Sequence, residues 1–126
     1  MTGLSKQVDY SFEEAINRAT EELKKEGFGV LTTIDVKETL KKKIDVDFRK
    51  YIILGACNPV LAHKALSAHP EIGLLMPCNV IIYEEDYKTF ISIFDPMSMG
   101  NFNSQLDLGD LAVEGKAKLE RVFNNL

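Results

Sequence analysis

The stretch Tyr51-Ile-Ile-Leu-Gly-Ala-Cys57 decides how the rest of the chain is interpreted. Its β-branched and aromatic residues favour a strand. Alternate side chains of a strand point to opposite faces, so the odd-numbered residues, including Ile53 and Cys57, share one face and the even-numbered residues share the other. Because both sets are largely apolar, the pattern indicates a strand that is covered on both faces. We therefore expect Ile53 to be buried and Ile53→Ala to cost about 2–5 kcal/mol of stability.

Downstream of this strand, Asn58-Pro59 is a typical helix start, with an N-cap residue and a proline in the first turn. The helix is expected to run to about Leu66 and to end before His69-Pro70. Residues 71–76 are ambiguous between a helical turn and a strand. Two further strands are predicted at 78–83 and 88–94, and the short polar segment between them indicates a hairpin.

Upstream, residues 4–10 alternate weakly and are expected to form an edge strand. Ser11-Phe-Glu-Glu14 is a capping box that begins an amphipathic helix, and Gly27 suits the residue that follows it. A strand is predicted over 28–34. Asp35-Val-Lys-Glu38 repeats the capping pattern and predicts a helix from 36 to about 43. Its expected inward-facing residues are Val36, Leu40 and Ile44.

The C-terminal part of the chain is predicted to contain one loop and one helix. Residues 97–105 have no apolar period, which is typical of a loop lying over a core. The following helix carries small and apolar residues at helical spacing, and these are expected to face inward. They are Ala112, Gly115, Leu119 and Val122.

Composition limits the classes of function. The 126 residues are 45% hydrophobic and 27% charged, which predicts a single globular domain over 1–126. No apolar run approaches the roughly 18 residues of a membrane span, and the first residues lack a signal-peptide pattern. We therefore expect a cytoplasmic protein without a membrane partner. A net charge of −4, with acidic residues interrupting the lysines of 37–50, argues against nucleic acid.

Several blocks together resemble the domain of unknown function 302 family, and the resemblance spans nearly the whole chain. The blocks are Glu26-Gly-Phe-Gly-Val-Leu31, Val46-Asp-Phe-Arg49, Ile53-Leu-Gly-Ala-Cys-Asn-Pro59, Leu61-Ala-His63 and Glu71-Ile-Gly-Leu-Leu-Met-Pro-Cys-Asn-Val80. The resemblance implies an α+β domain with a TBP-like arrangement, in which a curved, largely antiparallel sheet of about five strands carries packed helices. It implies no catalytic residue and no cofactor, so the cofactor is unknown. Neither does a TBP-like fold imply DNA binding.

Two Cys-Asn pairs are the candidate site. Cys57 is followed by Asn58 and Cys78 by Asn79, and His63 lies one turn into the helix that begins after Cys57. A cysteine at a helix N-terminus can be stabilised as a thiolate, which is a nucleophile and a soft-metal ligand. The alternative is that both cysteines are inert core residues, free because a cytosolic setting keeps thiols reduced.

A metal site would need more ligands than the two thiols. His63 and three methionines, Met76, Met97 and Met99, would complete a set suited to Cu(I) or Zn(II). Close Cys-x-x-Cys spacing is missing from the sequence, so we predict no metal.

Three functions remain open at this point. The first is binding of a small molecule or metabolite near Cys57, His63 and Cys78. The second is a thiol-dependent enzyme or a soft-metal handling protein that uses the same residues. The third is a structural or partner-binding homodimer, in which a second copy covers the edge strand at 4–10. Whether the protein is an enzyme stays open.

Overall fold

A computed structural model describes residues 3–102 and 108–126. These residues form one α+β arrangement of five strands and five α-helices. The strands are β1 (Gly3–Val8), β2 (Gly29–Asp35), β3 (Tyr51–Cys57), β4 (Cys78–Glu85) and β5 (Lys88–Phe94). The helices are α1 (Phe12–Lys25), α2 (Val36–Ile44), α3 (Pro59–Ala68), α4 (Met99–Phe102) and α5 (Asp110–Asn124). Short 3₁₀ helices occupy Pro70–Leu75 and Pro96–Ser98.

The strands form a curved sheet in the order β1-β5-β4-β3-β2, and every neighbouring pair is antiparallel. The hairpin between β4 and β5 is present as predicted, with Glu85 opposite Lys88. β1 lies at one edge and pairs with β5, so the predicted edge strand exists but ends at Val8. β2 forms the other edge. The antiparallel sheet and its five strands confirm the predicted fold class.

Local signals account for the helix ends. The Ser11 hydroxyl accepts a hydrogen bond from the Glu14 N–H at 3.1 Å, as a capping residue does at the start of a helix. Asp35 caps α2 in the same way through the Glu38 N–H at 3.0 Å. After α1, Gly27 takes a φ of +83°, a conformation that favours glycine. None of the described helices has the length and apolar character needed to cross a membrane.

The core lies between one face of the sheet and helices α1 and α5. Leu54 stands opposite Val80, and Ile82 stands opposite Ile91, so these side chains form rows across β3, β4 and β5. The core-facing positions of α1 and α5 complete the cluster, which confirms the amphipathic character predicted for α1 and the inward stripe predicted for α5. Its buried helical members are Ala15, Ala19, Leu23, Leu119 and Val122.

The prediction that β3 is covered on both faces is wrong. Ile52, Leu54 and Ala56 are buried, whereas Tyr51 and Ile53 are only half-buried. The helices pack on the face that carries the even-numbered residues, and the other face of the sheet keeps contact with solvent. The expected burial of Ile53 is therefore wrong as well, and its truncation is expected to cost less than 2–5 kcal/mol.

Three further predictions need correction. Val36 and Leu40 of α2 are half-buried, but Ile44 is 63% exposed, because α2 packs mainly against β2 and β3 at one side of the sheet. The ambiguous segment 71–76 is mainly a 3₁₀ helix. The predicted loop at 97–105 is helical through Phe102, and its last three residues lie outside the described residues.

Candidate functional site

Asn58 is fixed by two structural hydrogen bonds at the end of β3. Its side-chain oxygen accepts from the Leu61 N–H at 3.2 Å and caps α3, as the Asn-Pro pattern predicted. Its side-chain nitrogen donates to the carbonyl oxygen of Glu26 at 3.3 Å, which joins the start of α3 to the end of α1. Both ends of the Asn58 amide are therefore occupied in holding two helices together.

Cys57 and Cys78 line the same small apolar cavity. It has a volume of about 60 Å³ and lies where the ends of β3 and β4 meet α3, α5 and the two 3₁₀ helices. Asn58 is the polar residue in a wall that is otherwise apolar or carries sulfur. The other lining residues are Phe28, Ala56, Leu61, Ala62, Ala65, Ile72, Met76, Pro96, Met99, Leu108, Leu111, Ala112 and Gly115.

The surroundings of Cys78 keep its thiol protonated. Burial, and to a lesser extent the nearby Cys57, raises the pKa of the Cys78 thiol to about 11. Removing a thiolate from water disfavours the charged form, and the apolar wall offers little to replace the lost hydration. Since the thiolate is the nucleophile and metal ligand, Cys78 is a poor candidate for either role near neutral pH.

His63 does not join the two cysteines. It lies on the exposed side of α3 and is not part of the cavity wall. Helical geometry explains this. Leu61, Ala62 and Ala65 lie on the side of α3 that faces the cavity, whereas His63 lies on the other side. The sequence left open whether Cys57, His63 and Cys78 come together, and the structure places the two cysteines at one cavity with His63 outside its wall.

Asn79 lies elsewhere. It is exposed on β4, on the solvent face of the sheet, and lines a shallow groove with Ser5, Ser92 and Phe94. Strand alternation separates it from Cys78, whose side chain is directed to the opposite face. The two Cys-Asn pairs, although alike in sequence, therefore differ in position, since Asn58 caps a helix and Asn79 meets solvent.

The described residues offer no metal-binding cluster, since no three of their His, Cys, Asp and Glu side chains come together. Met76 and Met99 reach the cavity, but Met97 is 48% exposed. The ligand set considered from the sequence is thus divided between the cavity and the surface.

Sequence reasoning missed the far side of the cavity. Gly115, Ala112 and Leu111 of α5 face the cysteines across the interior. The small size of Ala112 and Gly115 was visible as part of the α5 stripe, and small residues at that spacing leave room beside a helix. Nothing in the local sequence showed that this room would lie next to Cys57 and Cys78.

Comparisons with known proteins agree with the resemblance seen in the sequence. The family model described as "Domain of unknown function DUF302" matches residues 4–126. A solved structure described as an uncharacterized conserved DUF302 protein from Bacillus stearothermophilus is 30% identical, with a TM-score of 0.88. That similarity covers 99% of this chain and 98% of the other. No curated protein matches the sequence. The chain therefore belongs to the DUF302 family.

Proposed function

We propose that the protein binds a small apolar molecule, or the end of a larger apolar group, in the cavity lined by Cys57 and Cys78. The observation that carries the proposal is an apolar cavity of about 60 Å³ walled by side chains from α3, α5 and the sheet. Apolar cavities of sufficient size accept apolar guests, and Asn58, the polar side chain in this wall, already uses its amide in two hydrogen bonds.

The volume restricts the size of the guest. Pockets for whole metabolites usually measure about 300–1,000 Å³. A cavity of about 150 Å³ holds benzene, so scaling by volume leaves room here for roughly two or three carbon atoms. The cavity therefore suits a short aliphatic end or a small apolar molecule better than an entire metabolite.

Thiol chemistry has less support. It would depend on Cys57 alone, because the raised pKa of Cys78 keeps that thiol protonated and His63 faces solvent. A soft-metal role has only the two thiols and two methionines at the cavity. Small-molecule binding needs none of these groups to be ionised, and for that reason we prefer it.

Three further expectations from the sequence belong with this proposal. They are a single domain over 1–126, a TBP-like arrangement of the sheet and helices, and a cytoplasmic location. The end-to-end family match supports the first, and the antiparallel sheet with α1 and α5 on one face is compatible with the second.

Xenon is a suitable probe, because it enters dry apolar cavities of this kind. We expect xenon pressure to shift the methyl NMR signals of Leu61, Ala62 and Ala112 and to leave exposed methyls unchanged. Absence of a shift at the cavity methyls up to the highest pressure would contradict the proposal.

Two glycine variants make a matched pair for this experiment. In Gly115→Ala the added methyl would lie 3.5 Å from Pro96 Cγ and 3.8 Å from Leu61 Cδ1, which are ordinary contacts that fill part of the cavity. We expect xenon affinity to fall several-fold and stability to rise by about 0.4–1 kcal/mol, since glycine is costly within a helix. Gly29→Ala adds a methyl with no atom within 4 Å and should leave xenon binding unchanged. Equal xenon shifts in Gly115→Ala and the wild type would show that the guest binds elsewhere.

A further inference from the structure

The face of the sheet opposite α1 and α5 carries a row of stacked aromatic rings. Tyr51 stands opposite Tyr83, and Tyr83 stands opposite Phe90. Each pair has ring centroids 5.4 Å apart and nearly parallel planes, at 15° and 18°. All three side chains are half-buried, because each ring covers part of its neighbour. The row is thus a preformed, rigid apolar surface.

A second row runs beside the aromatic one. Ile34, Ile53 and Ile81 are paired in register across β2, β3 and β4, and the row continues through Ser92 and Ser5 on β5 and β1. The two serine hydroxyls hydrogen-bond to each other at 2.7 Å. Ile34 is 48% exposed, and Ile53 and Ile81 are half-buried. We call the two rows together the open face: Tyr51, Tyr83 and Phe90 with Ile34, Ile53, Ile81, Ser92 and Ser5.

The stacking argues against nucleic acid as the occupant. Sheets that bind single strands present the flat faces of aromatic rings to the bases. Here both flat faces of Tyr83 are already covered, one by Tyr51 and the other by Phe90. The rows also contain no lysine or arginine to meet phosphates, and the whole chain has a net charge of −4. The open face therefore fits an apolar protein surface.

We propose that the occupant is a second copy of this chain, packed open face to open face about a two-fold axis. In such a contact a surface patch of one copy packs against the same patch of the second copy. A cluster of like charges in the patch would therefore face an identical cluster and be repelled by it. The open face avoids this because it has no charged residue. All 15 lysines and arginines and all 19 aspartates and glutamates of the chain lie outside these two rows.

Charged residues at the end of the open face form a suitable rim. Glu85 and Lys88 stand opposite each other where the hairpin leaves the sheet, and Arg49 pairs with Glu85 at 3.2 Å. An apolar centre with a polar, exposed rim is the usual composition of a protein interface. Both signs of charge are present at this rim, so two copies can meet there without net repulsion.

The area is sufficient for a modest dimer. Five strands spaced about 4.8 Å apart and about seven residues long span roughly 24 by 24 Å, so the open face together with its charged rim measures about 580 Å² per copy. Two copies that covered the whole of this area would bury about 1,150 Å², just above the roughly 1,000 Å² expected of a specific interface. This value predicts a dimer that dissociates at low concentration.

Sedimentation velocity over about 1 µM to 1 mM tests the proposal, because dimerisation depends on concentration by mass action. We expect the wild type to shift from monomer to dimer within this range. Ile81→Lys places two lysines at the centre of the contact and is expected to raise the dimer dissociation constant at least about 100-fold. Ser92→Lys introduces the same charge without removing an apolar side chain, and it covers the case in which Ile81→Lys fails to fold.

Val113→Lys is the matched control, since Val113 is an exposed apolar residue of α5, away from the open face. It should dimerise like the wild type, and circular dichroism should show all variants folded. A wild type that stays monomeric at about 1 mM would overturn the proposal and leave the face to a different protein or a ligand. A dimer that persists in folded Ile81→Lys and Ser92→Lys would also overturn it and favour pairing through the β1 edge. Neither result bears on xenon binding in the cavity.

Discussion

Alanine substitutions at Leu54 and Ile53, neighbours on β3, should differ sharply in cost. Leu54 is 2% exposed, and its side chain packs toward α1 and α5. Leu→Ala removes three carbon groups, which is about 2.4 kcal/mol of transfer free energy at about 0.8 kcal/mol each. A residual cavity of about 50 Å³ would add about 1.2 kcal/mol. We therefore expect Leu54→Ala to lower the free energy of unfolding by about 3–4 kcal/mol.

Ile53→Ala also removes three carbon groups, but from a side chain that is half-buried on the open face. Half of the transfer free energy is about 1.2 kcal/mol. No closed cavity is left, because solvent fills the space. The expected loss is about 1–1.5 kcal/mol, well below the range that burial would give. If the protein dimerises, Ile53 is covered in the dimer, so the measurement must be made on the monomer.

The free energies of unfolding of the two variants can be compared by urea denaturation, followed by circular dichroism at about 1 µM. The comparison holds if both variants have the same m-value. If Ile53→Ala lowers the free energy of unfolding as much as Leu54→Ala, or more, the assignment of the buried face of β3 is refuted. Because a shift of one residue moves every side chain of a strand to the other face, that result would mean the register of β3 is wrong.

Four further predictions concern other positions. Brief alkylation at pH 7.5 followed by peptide mapping should modify Cys57 before Cys78, and preferential modification of Cys78 would contradict the placement of that thiol in the apolar wall. The Cys78 thiol has a pKa of about 11 in the folded protein and an ordinary value of 9.0 in the unfolded chain, so the free energy of unfolding should fall as the pH rises between these values. In urea denaturations over this pH range, Cys78→Ala should remove the part of the fall that is due to this thiol. Asn58→Ala should cost about 1–2 kcal/mol in thermal or urea unfolding because it loses a helix cap and a second hydrogen bond, and Asn58→Ser, which keeps a side-chain oxygen for the cap, should cost less. Gly55→Ala should destabilise by at least about 1–3 kcal/mol because its methyl would overlap the Thr32 hydroxyl, and wild-type stability would show that β2 is farther away.

The sequence by itself determined the elements and their ends. Ser11, Gly27 and Asn58 act on atoms within a few residues of themselves, so their capping or turn roles can be predicted without knowledge of the fold. The period of two in β3 and the helical period of α1 likewise depend only on local geometry. These signals, with the order of the family blocks, were enough to predict the α+β class and the five strands.

Tertiary structure decided what the elements face. Alternation in β3 separates Ile53 from Leu54, but the face that is buried depends on where α5 packs, and α5 begins more than fifty residues later. The same holds for the cavity, because Cys57 and Cys78 meet Gly115 only after the sheet and α5 have assembled. The position of His63 relative to Cys57 likewise needed the tertiary structure, because closeness in sequence says nothing about which way a helical side chain turns. Such long-range relations come from packing many weak contacts at once, and no short stretch of sequence carries that information.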